Sequence, residues 1–387
     1  MNTLKTNLNF VLSFALFFSL FFNNEKNIYL FYFVFFINLI FFCFCVFSNL
    51  KVKIEPFLYF YMVFFAWCLL SMFWSRDFSL AFDMIGRLIV LILCFLICIN
   101  LNNEKNSLLL GGYFGLVTGL FLNLLLIPFE GSYIVGRFSG TTINPNHIAL
   151  FSSFVLFLTV IMKKHFSKLF IYLVMLLCIL LIIQTGSRKG VLLALIVIAL
   201  FTFKLDEKTF SFSYVTAFTI PLLFSFLLMF FNLDYLSTVH SSFERFYDLT
   251  QVNINDVTDS SSGDSSSRWR LIFIIEGFNL FLNNPITGIG LDNFKTIFSV
   301  ELYSHNNFIE LLSTLGSVGL ILYYLFYFIL FKPIMKQQLM FGMCIMLLLL
   351  LMDFAMVTYF ERMYLLPLIL IYYSTYREEK IESSPYN

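Results

Sequence analysis

Long apolar runs constrain this chain more than any other feature of its sequence. Apolar residues make up 60% of its 387 residues and charged residues only 12%, whereas soluble domains carry about 25% charged residues. About a dozen runs approach the roughly 20 apolar residues that a helix needs to cross a bilayer. The sequence therefore predicts an all-α polytopic membrane protein, with a single transmembrane domain over residues 1–387.

The runs predict about twelve transmembrane helices with mostly short connections. The predicted spans lie near 8–22, 28–48, 56–75, 82–101, 107–128, 146–162, 169–184, 190–204, 212–232, 307–331, 339–358 and 363–375. One long loop, at 233–306, separates the ninth and tenth spans. Within it, residues 268–284 repeat apolar positions at helical spacing but include Glu276, which predicts an amphipathic helix on the membrane surface.

Lysine distribution predicts the orientation of these spans. With the N-terminus in the cytoplasm, twelve lysines fall on the cytoplasmic side and three outside. Cytoplasmic loops carry an excess of basic residues, so this orientation is the expected one. An even number of spans then places both termini in the cytoplasm and the 233–306 loop outside.

Arginine shows the opposite distribution. Eight of the nine arginines lie outside or in the outer half of a span: Arg76, Arg87, Arg137, Arg188, Arg245, Arg268, Arg270 and Arg362. A guanidinium offers a planar set of donors that fits phosphate oxygens, often two at a time. We therefore expect the outer face to bind an anion, with a phosphate ester favoured. A nucleic acid is disfavoured, because the net charge is +1 and no basic patch stands out.

Three outer segments concentrate polar residues where a span begins. They are "GRFSGTTINPNHIALF" at 136–151, "QTGSRKGVLLAL" at 184–195 and "SHNNFIELLSTLGSVGL" at 304–320. The N-terminus of a helix carries partial positive charge and free N–H groups, which suit a phosphate. The segments are predicted to lie at one depth rather than along a path across the membrane.

The motifs in these segments resemble those of the bacterial O-antigen ligase and polymerase superfamily. The resemblance covers roughly 130–330, with compatible spans on both sides. It is carried by Arg137 with Gly140, Thr141 and Asn144-Pro145-Asn146; by Gly186-Ser187-Arg188-Lys189-Gly190; by Arg270 ahead of Pro285 and Gly288-Ile289-Gly290; and by His305-Asn306 with Glu310, Gly316 and Gly319.

This resemblance implies a glycosyltransferase at the outer face of the bacterial cytoplasmic (inner) membrane. Its donor would be an oligosaccharide on undecaprenyl diphosphate, and it would need no nucleotide sugar, no metal and no other cofactor. Its partners would be the lipid bilayer and, in the same pathway, a flippase and a chain-length regulator.

The resemblance also assigns expected roles to individual residues. Arg137, Arg188 and Arg270 would bind the diphosphate, with the neighbouring Arg268 as the alternative to Arg270. His305 and Glu310 are the candidate catalytic residues, and His305 would take the proton of the attacking sugar hydroxyl. Possible substrate-binding residues are Asn144, Asn146, His147 and Asn306. Simpler interpretations stay open, because His305 could be an interfacial or capping residue and the asparagines could only form a turn around Pro145.

Three functions are compatible with the sequence. The "SHNNFIELL" form favours a polymerase of O-antigen or capsular repeat units. A ligase, which moves the glycan to a lipid A core, is the alternative within the enzyme class. A transporter or flippase for the same lipid-linked glycan is the alternative of another class. It is disfavoured because transporters place their ionisable groups near the midplane, whereas here they cluster at the outer side.

Overall fold

The computed structural model gives the fold of most of the predicted helical segments. It describes residues 2–24, 26–49, 52–101, 107–129, 131, 133, 134, 137–142, 144–187, 189–191, 193, 194, 197, 265–297, 303–337, 346, 349, 350, 352–354 and 356–376. The predicted spans at 190–204, 212–232 and 339–358 fall largely outside these ranges, as does half of the 233–306 loop. The chain divides into two compact units, which are treated in turn.

Within the described ranges the regular secondary structure is helical apart from one small hairpin. The helices are α1 (Asn2–Ser19), α2 (Ile28–Asn49), α3 (Pro56–Ser71), α4 (Phe78–Leu101), α5 (Ser107–Leu126), α6 (Pro145–Ile161), α7 (Lys168–Thr185), α8 (Ser265–Asn283), α9 (Asn307–Gln337) and α10 (Arg362–Tyr376). Short 3₁₀ turns cover Met72–Trp74, Lys163–His165 and Asn293–Thr296. Strands β1 (Tyr133–Ile134) and β2 (Arg137–Phe138) are antiparallel, and Tyr133 pairs with Phe138.

Six of these helices are long and apolar enough to cross a membrane. They are Ile28–Phe47, Pro56–Trp74, Phe78–Leu101, Ser107–Leu126, Lys168–Thr185 and Asn307–Lys336. Two shorter apolar helices, Asn7–Ser19 and Pro145–Ile161, correspond to the predicted first and sixth spans. The prediction of an all-α membrane protein is therefore confirmed, while the total of twelve spans stays a prediction.

In the first unit, α1 packs closely against α5 through a row of glycines. Gly111, Gly115 and Gly119 recur every fourth residue and therefore share one face of α5. A Cβ atom at Gly111 would lie 2.5 Å from the Phe10 carbonyl oxygen, and one at Gly119 would overlap the Phe21 ring. Small residues allow two backbones to approach in this way, which is how many membrane helices associate.

The first unit also anchors the segment that follows β2. Thr141 donates its backbone N–H to Asn123 Oδ1 of α5 over 2.9 Å, and Asn123 Nδ2 lies 3.2 Å from Thr141 Oγ1. Gly140 has a φ of 55°, and a Cβ there would collide with the Asn123 side chain. The Gly-Thr pair of the first motif is thus required by the packing of this turn on α5.

The second unit is built on α3, α4 and α9. Aromatic side chains from all three helices form its core: Phe57, Tyr61, Phe64, Phe95, Tyr323 and Phe326. The Tyr61 hydroxyl donates a 3.0 Å hydrogen bond to the Tyr359 carbonyl, which ties the segment before α10 to α3. Most of these rings are fully buried, so this part of the unit excludes water.

Helix α9 is not the single straight span that the sequence predicts. Gly316 has φ 68° and ψ −170°, which are not helical values and which a glycine adopts readily. Asn307 Nδ2 lies 3.3 Å from the Tyr324 hydroxyl, although 17 residues of straight helix would separate them by about 25 Å. The helix therefore folds back at Gly316 into a short arm (307–315) and a long arm (317–337).

The turn after α8 occupies the break in α9. The backbone N–H groups of Ile289 and Gly290 donate to the carbonyls of Ser313 and Thr314, each over 2.9 Å. Trp67 Nε1 donates to the Leu315 carbonyl over 3.0 Å. In a continuous helix these three carbonyls would accept backbone N–H groups of the next turn. At the break they accept hydrogen bonds from Ile289, Gly290 and Trp67 instead. Gly288 and Gly290 have φ angles of 65° and 104°, which allow the chain to turn tightly here.

Candidate functional site

In the first unit, Arg137 connects two of the three motifs. Its Nε donates to the Thr185 carbonyl over 3.0 Å, and its Nη2 donates to Asn146 Oδ1 over 3.2 Å. Ser187 Oγ donates to the same Asn146 oxygen over 2.9 Å. Arg137 is half-buried, because β2 holds it over the ends of α6 and α7. The structure therefore brings Arg137, Asn146 and Ser187 together.

The asparagines beside Pro145 have different positions in this arrangement. Asn144 is the N-cap of α6, and its Oδ1 accepts the backbone N–H of Asn146 over 3.0 Å. That contact fits the simpler interpretation of Asn144 as a turn-forming residue. Asn146 instead directs its oxygen to Arg137 and Ser187. His147, on the first turn of α6, is half-buried, and Arg188 lies outside the described residues.

In the second unit, His305 lies in a tight turn that leads into the short arm of α9. His305 has a φ of 57°, which non-glycine residues seldom adopt. The turn is held on both sides of it. Ser304 Oγ donates to the Asn306 carbonyl over 2.7 Å, and Asn306 Oδ1 accepts the N–H groups of Phe308 and Ile309. Asn306 is thus the N-cap of the short arm, and its oxygen is engaged in capping.

Glu310 secures the same turn from inside the short arm. It is almost fully buried, and its Oε2 accepts the Ser304 backbone N–H over 2.9 Å. A buried carboxylate is stabilised by such charge-assisted hydrogen bonds. Glu310 therefore fixes the backbone one residue ahead of His305, which is the geometry of a positioning residue.

Aromatic rings surround the His305 imidazole. The Tyr303 ring centroid lies 4.5 Å from that of His305, and the Phe273 ring of α8 stacks against His305 with a centroid distance of 6.2 Å. Burial raises the pKa of Tyr303 to about 12, and the positive charge of Arg270 acts in the opposite direction. Arg270 is therefore close enough to act electrostatically on this ring, and His305 is half-buried beside it.

Helix α8 contributes Phe273 to this aromatic contact. Its bounds, Ser265–Asn283, confirm that the segment predicted at 268–284 is helical. Phe273 and Gly277 face the short arm of α9, and a Cβ at Gly277 would overlap the Ile309 side chain. The opposite face exposes the apolar side chains of Ile275, Phe278 and Leu282. An exposed apolar face suits a helix on a membrane surface, and that location stays a prediction.

A charged pair lies on the turn between α8 and α9. Lys295 Nζ is 2.7 Å from Asp292 Oδ2, and both side chains are largely buried. Burial raises the pKa of Asp292, while Lys295 counteracts that effect. The positive charge of Lys295 is therefore balanced by Asp292 in the same turn. Within the ranges that the structure describes, no three His, Cys, Asp or Glu side chains form a cluster that could hold a metal ion.

The described residues thus form two groups. The first unit brings together Arg137, Asn146 and Ser187, and the second brings together Arg270, Tyr303, His305 and Glu310. The sequence reasoning missed Tyr303 and Phe273 as neighbours of His305. Tyr303 stands two residues before His305 and could have been noticed, whereas the contact with Phe273 depends on how α8 packs.

The comparison with known families covers the second of these groups. A family model described as O-antigen ligase matches residues 173–324, which include Arg188, Arg270, His305 and Glu310. None of the curated proteins compared with the chain matches it. The family match confirms the resemblance carried by the motifs, and over residues 173–324 this chain is similar to the O-antigen ligase and polymerase superfamily.

Proposed function

We propose that this protein is a glycosyltransferase that polymerises O-antigen or capsular repeat units carried on undecaprenyl diphosphate. The reaction would take place at the outer face of the cytoplasmic membrane. The observation that carries the proposal is the His305 turn. It lies inside the matched region, is held rigidly by Glu310 and Asn306, and has the Arg270 charge nearby.

The chemistry is displacement at the anomeric carbon of the donor. The hydroxyl of an acceptor sugar forms the new C–O bond, the bond to the lipid diphosphate breaks, and the hydroxyl proton passes to a base. Arg137, Arg188 and Arg270 bind the diphosphate and stabilise the charge that it gains on leaving. His305 takes the proton, because an imidazole has an unperturbed pKa near neutrality. The mechanism assigns charge stabilisation to arginines and so requires no metal.

Buried Glu310 has a supporting role in this mechanism. Its carboxylate accepts a hydrogen bond from the Ser304 backbone N–H and so holds the turn in which His305 lies. Asn306 caps the short arm for the same purpose. Asn146 and Ser187 orient Arg137, and Asn144 and His147 are the remaining candidates for contact with the glycan.

A ligase is the second candidate, since the matching family is described as O-antigen ligase. A polymerase extends the glycan on the lipid carrier, whereas a ligase transfers the finished glycan to lipid A core. Both are enzymes with the same donor, so the family match favours an enzyme over a transporter. The "SHNNFIELL" sequence around His305 favours the polymerase.

Deletion of the gene distinguishes the two enzymes. Loss of a polymerase leaves surface glycan with a single repeat unit, because transfer to the final acceptor still proceeds. Electrophoresis of surface glycan and of extracted lipid-linked glycan measures both pools. Complete loss of surface glycan, with long chains accumulating on the lipid carrier, would show that the protein is the ligase.

A further inference from the structure

Asn307 and Asp353 form a buried polar pair beside the His305 turn. Asn307 is the first residue of α9, two residues after His305, and is completely buried. Asp353 is also completely buried, and its Oδ2 lies 3.4 Å from Asn307 Nδ2. A carboxylate in such a place is costly unless it is fully hydrogen-bonded, so its presence requires a reason.

The partners of Asn307 link the short arm of α9 to the segment before α10. Asn307 Oδ1 accepts the backbone N–H groups of Thr358 and Tyr359, over 2.9 and 3.2 Å. With its oxygen used in this way, the amide must direct Nδ2 toward an acceptor. Asp353 Oδ2 supplies one acceptor, over 3.4 Å, and the Tyr324 hydroxyl, which itself donates to Asp353, supplies a second, over 3.3 Å. The orientation of the Asn307 amide is thereby determined.

Asp353 is itself held by two hydroxyl groups. Thr358 Oγ1 donates to its Oδ1 over 2.6 Å, and the Tyr324 hydroxyl of the long arm donates to its Oδ2 over 2.8 Å. The Asp353 carboxylate accepts hydrogen bonds from Asn307, Tyr324 and Thr358, so it is suited to act as a fixed acceptor. The network joins both arms of α9 to Asp353, Thr358 and Tyr359 beside the His305 turn.

We propose that Asn307, oriented by Asp353, is a positioning residue that fixes the His305 turn for sugar transfer. The proposal rests on the proposed function, because it assigns a role relative to the base. Glu310 holds the backbone ahead of His305, and Asn307 holds the backbone that follows it. Displacement of a catalytic group by about 1 Å can lower a rate about 100-fold, so both attachments matter for the reaction.

The test exchanges the two members of the pair. Asn307→Asp keeps the acceptor for Thr358 and Tyr359 but directs a second carboxylate oxygen at Asp353. We expect kcat to fall about 10- to 100-fold with KM changed less than about twofold. The double variant N307D/D353N restores an amide opposite a carboxylate, with donor and acceptor exchanged. It should recover most of the activity.

A control separates this role from a general loss of stability. Asn38 is equally buried and donates to the Val34 carbonyl within α2, so Asn38→Asp tests the effect of a buried carboxylate elsewhere. Hydrogen–deuterium exchange of peptides covering 303–310 provides a readout that does not depend on activity. Exchange should be faster in N307D, unchanged in N38D and restored in the double variant.

The outcomes are distinguishable. If exchange at 303–310 stays unchanged in N307D, or if the double variant recovers neither exchange nor activity, the positioning role is refuted. If the exchange results are as expected while His305→Ala keeps full activity, the positioning role is supported and the proposed base is refuted. Should N307D fail to accumulate, Tyr324→Phe removes one donor to Asp353, and unchanged exchange and kcat there would also refute the role.

Discussion

At the scale of single residues, the two directed hydrogen bonds of the Arg137 guanidinium limit which side chains can replace it. Its Nε and Nη2 bond to two different elements, the end of α7 and the start of α6. These bonds fix the plane of the guanidinium. A lysine ammonium has the same charge but no plane, and it cannot reproduce a planar set of donors.

Arg137→Lys should therefore lower glycan transfer about 10- to 100-fold, the loss expected for one charge-assisted hydrogen bond of about 1.5–3 kcal/mol. Transfer from purified lipid-linked donor is measured at equal enzyme loading. Arg76→Lys is the matched control, because Arg76 is exposed between α3 and α4 and should tolerate the change. Equal activity in the two lysine variants would argue against diphosphate binding by Arg137.

His305 has a different chemical requirement, namely the ability to take up a proton. His305→Gln keeps hydrogen-bonding capacity but cannot accept a proton, so transfer should fall about 100-fold or more, as it should in His305→Ala. His165→Gln, at an exposed loop, should leave the rate unchanged. The same transfer assay applies. A glutamine variant that keeps most of its activity would identify His305 as a capping or interfacial residue.

At the scale of elements, the fold-back of α9 determines where the His305 turn lies. Asn307 is beside Tyr324, which is about 12 Å along the long arm from the break at Gly316. The His305 turn therefore lies beside the long arm and not at the end of a straight span. The long arm alone is about 31 Å in length, enough to cross a bilayer.

Gly316→Ala should strongly lower the thermal unfolding midpoint in detergent. The backbone angles at Gly316 are nearly inaccessible to other residues, at a cost of about 1–3 kcal/mol, and the new Cβ would also overlap the Ile286 carbonyl. Gly86→Ala is the matched control in α4, because a Cβ there meets nothing within 4 Å. It should stabilise by about 0.5–1 kcal/mol. Equal midpoints for both variants would contradict the break.

The sequence predicts helices better than it predicts this break. Apolar runs identify the six long helices, because length and hydropathy are local properties. The fold-back at Gly316 depends on the Ile289 and Gly290 amides and on the Trp67 indole, which come from distant parts of the chain. Similarly, the glycine row of α5 can be read from the sequence, but its partner α1 cannot.

At the scale of the whole molecule, the candidate site shows the same division. Candidate residues such as Arg137 and Arg270 could be selected from the sequence, because charged side chains are rare in an apolar chain and so stand out. Their immediate partners could not, since Tyr303 and Phe273 are residue types that apolar helices also use for packing. Orientation in the membrane belongs to a third category, because it depends on the sum of many weak lysine preferences rather than on contacts.

That orientation leads to a prediction for the entire chain. With both termini in the cytoplasm, position 165 should be cytoplasmic and position 262, in the long loop, should be outside. Single cysteines at these positions, in a background without the seven native cysteines, are treated with an impermeant thiol reagent on intact cells. We expect labelling at 262 only, and labelling at both after the membrane is permeabilised, which controls for reactivity. Labelling at 165 in intact cells, or protection at 262, would contradict the lysine argument and with it the assignment of the arginines to the outer face.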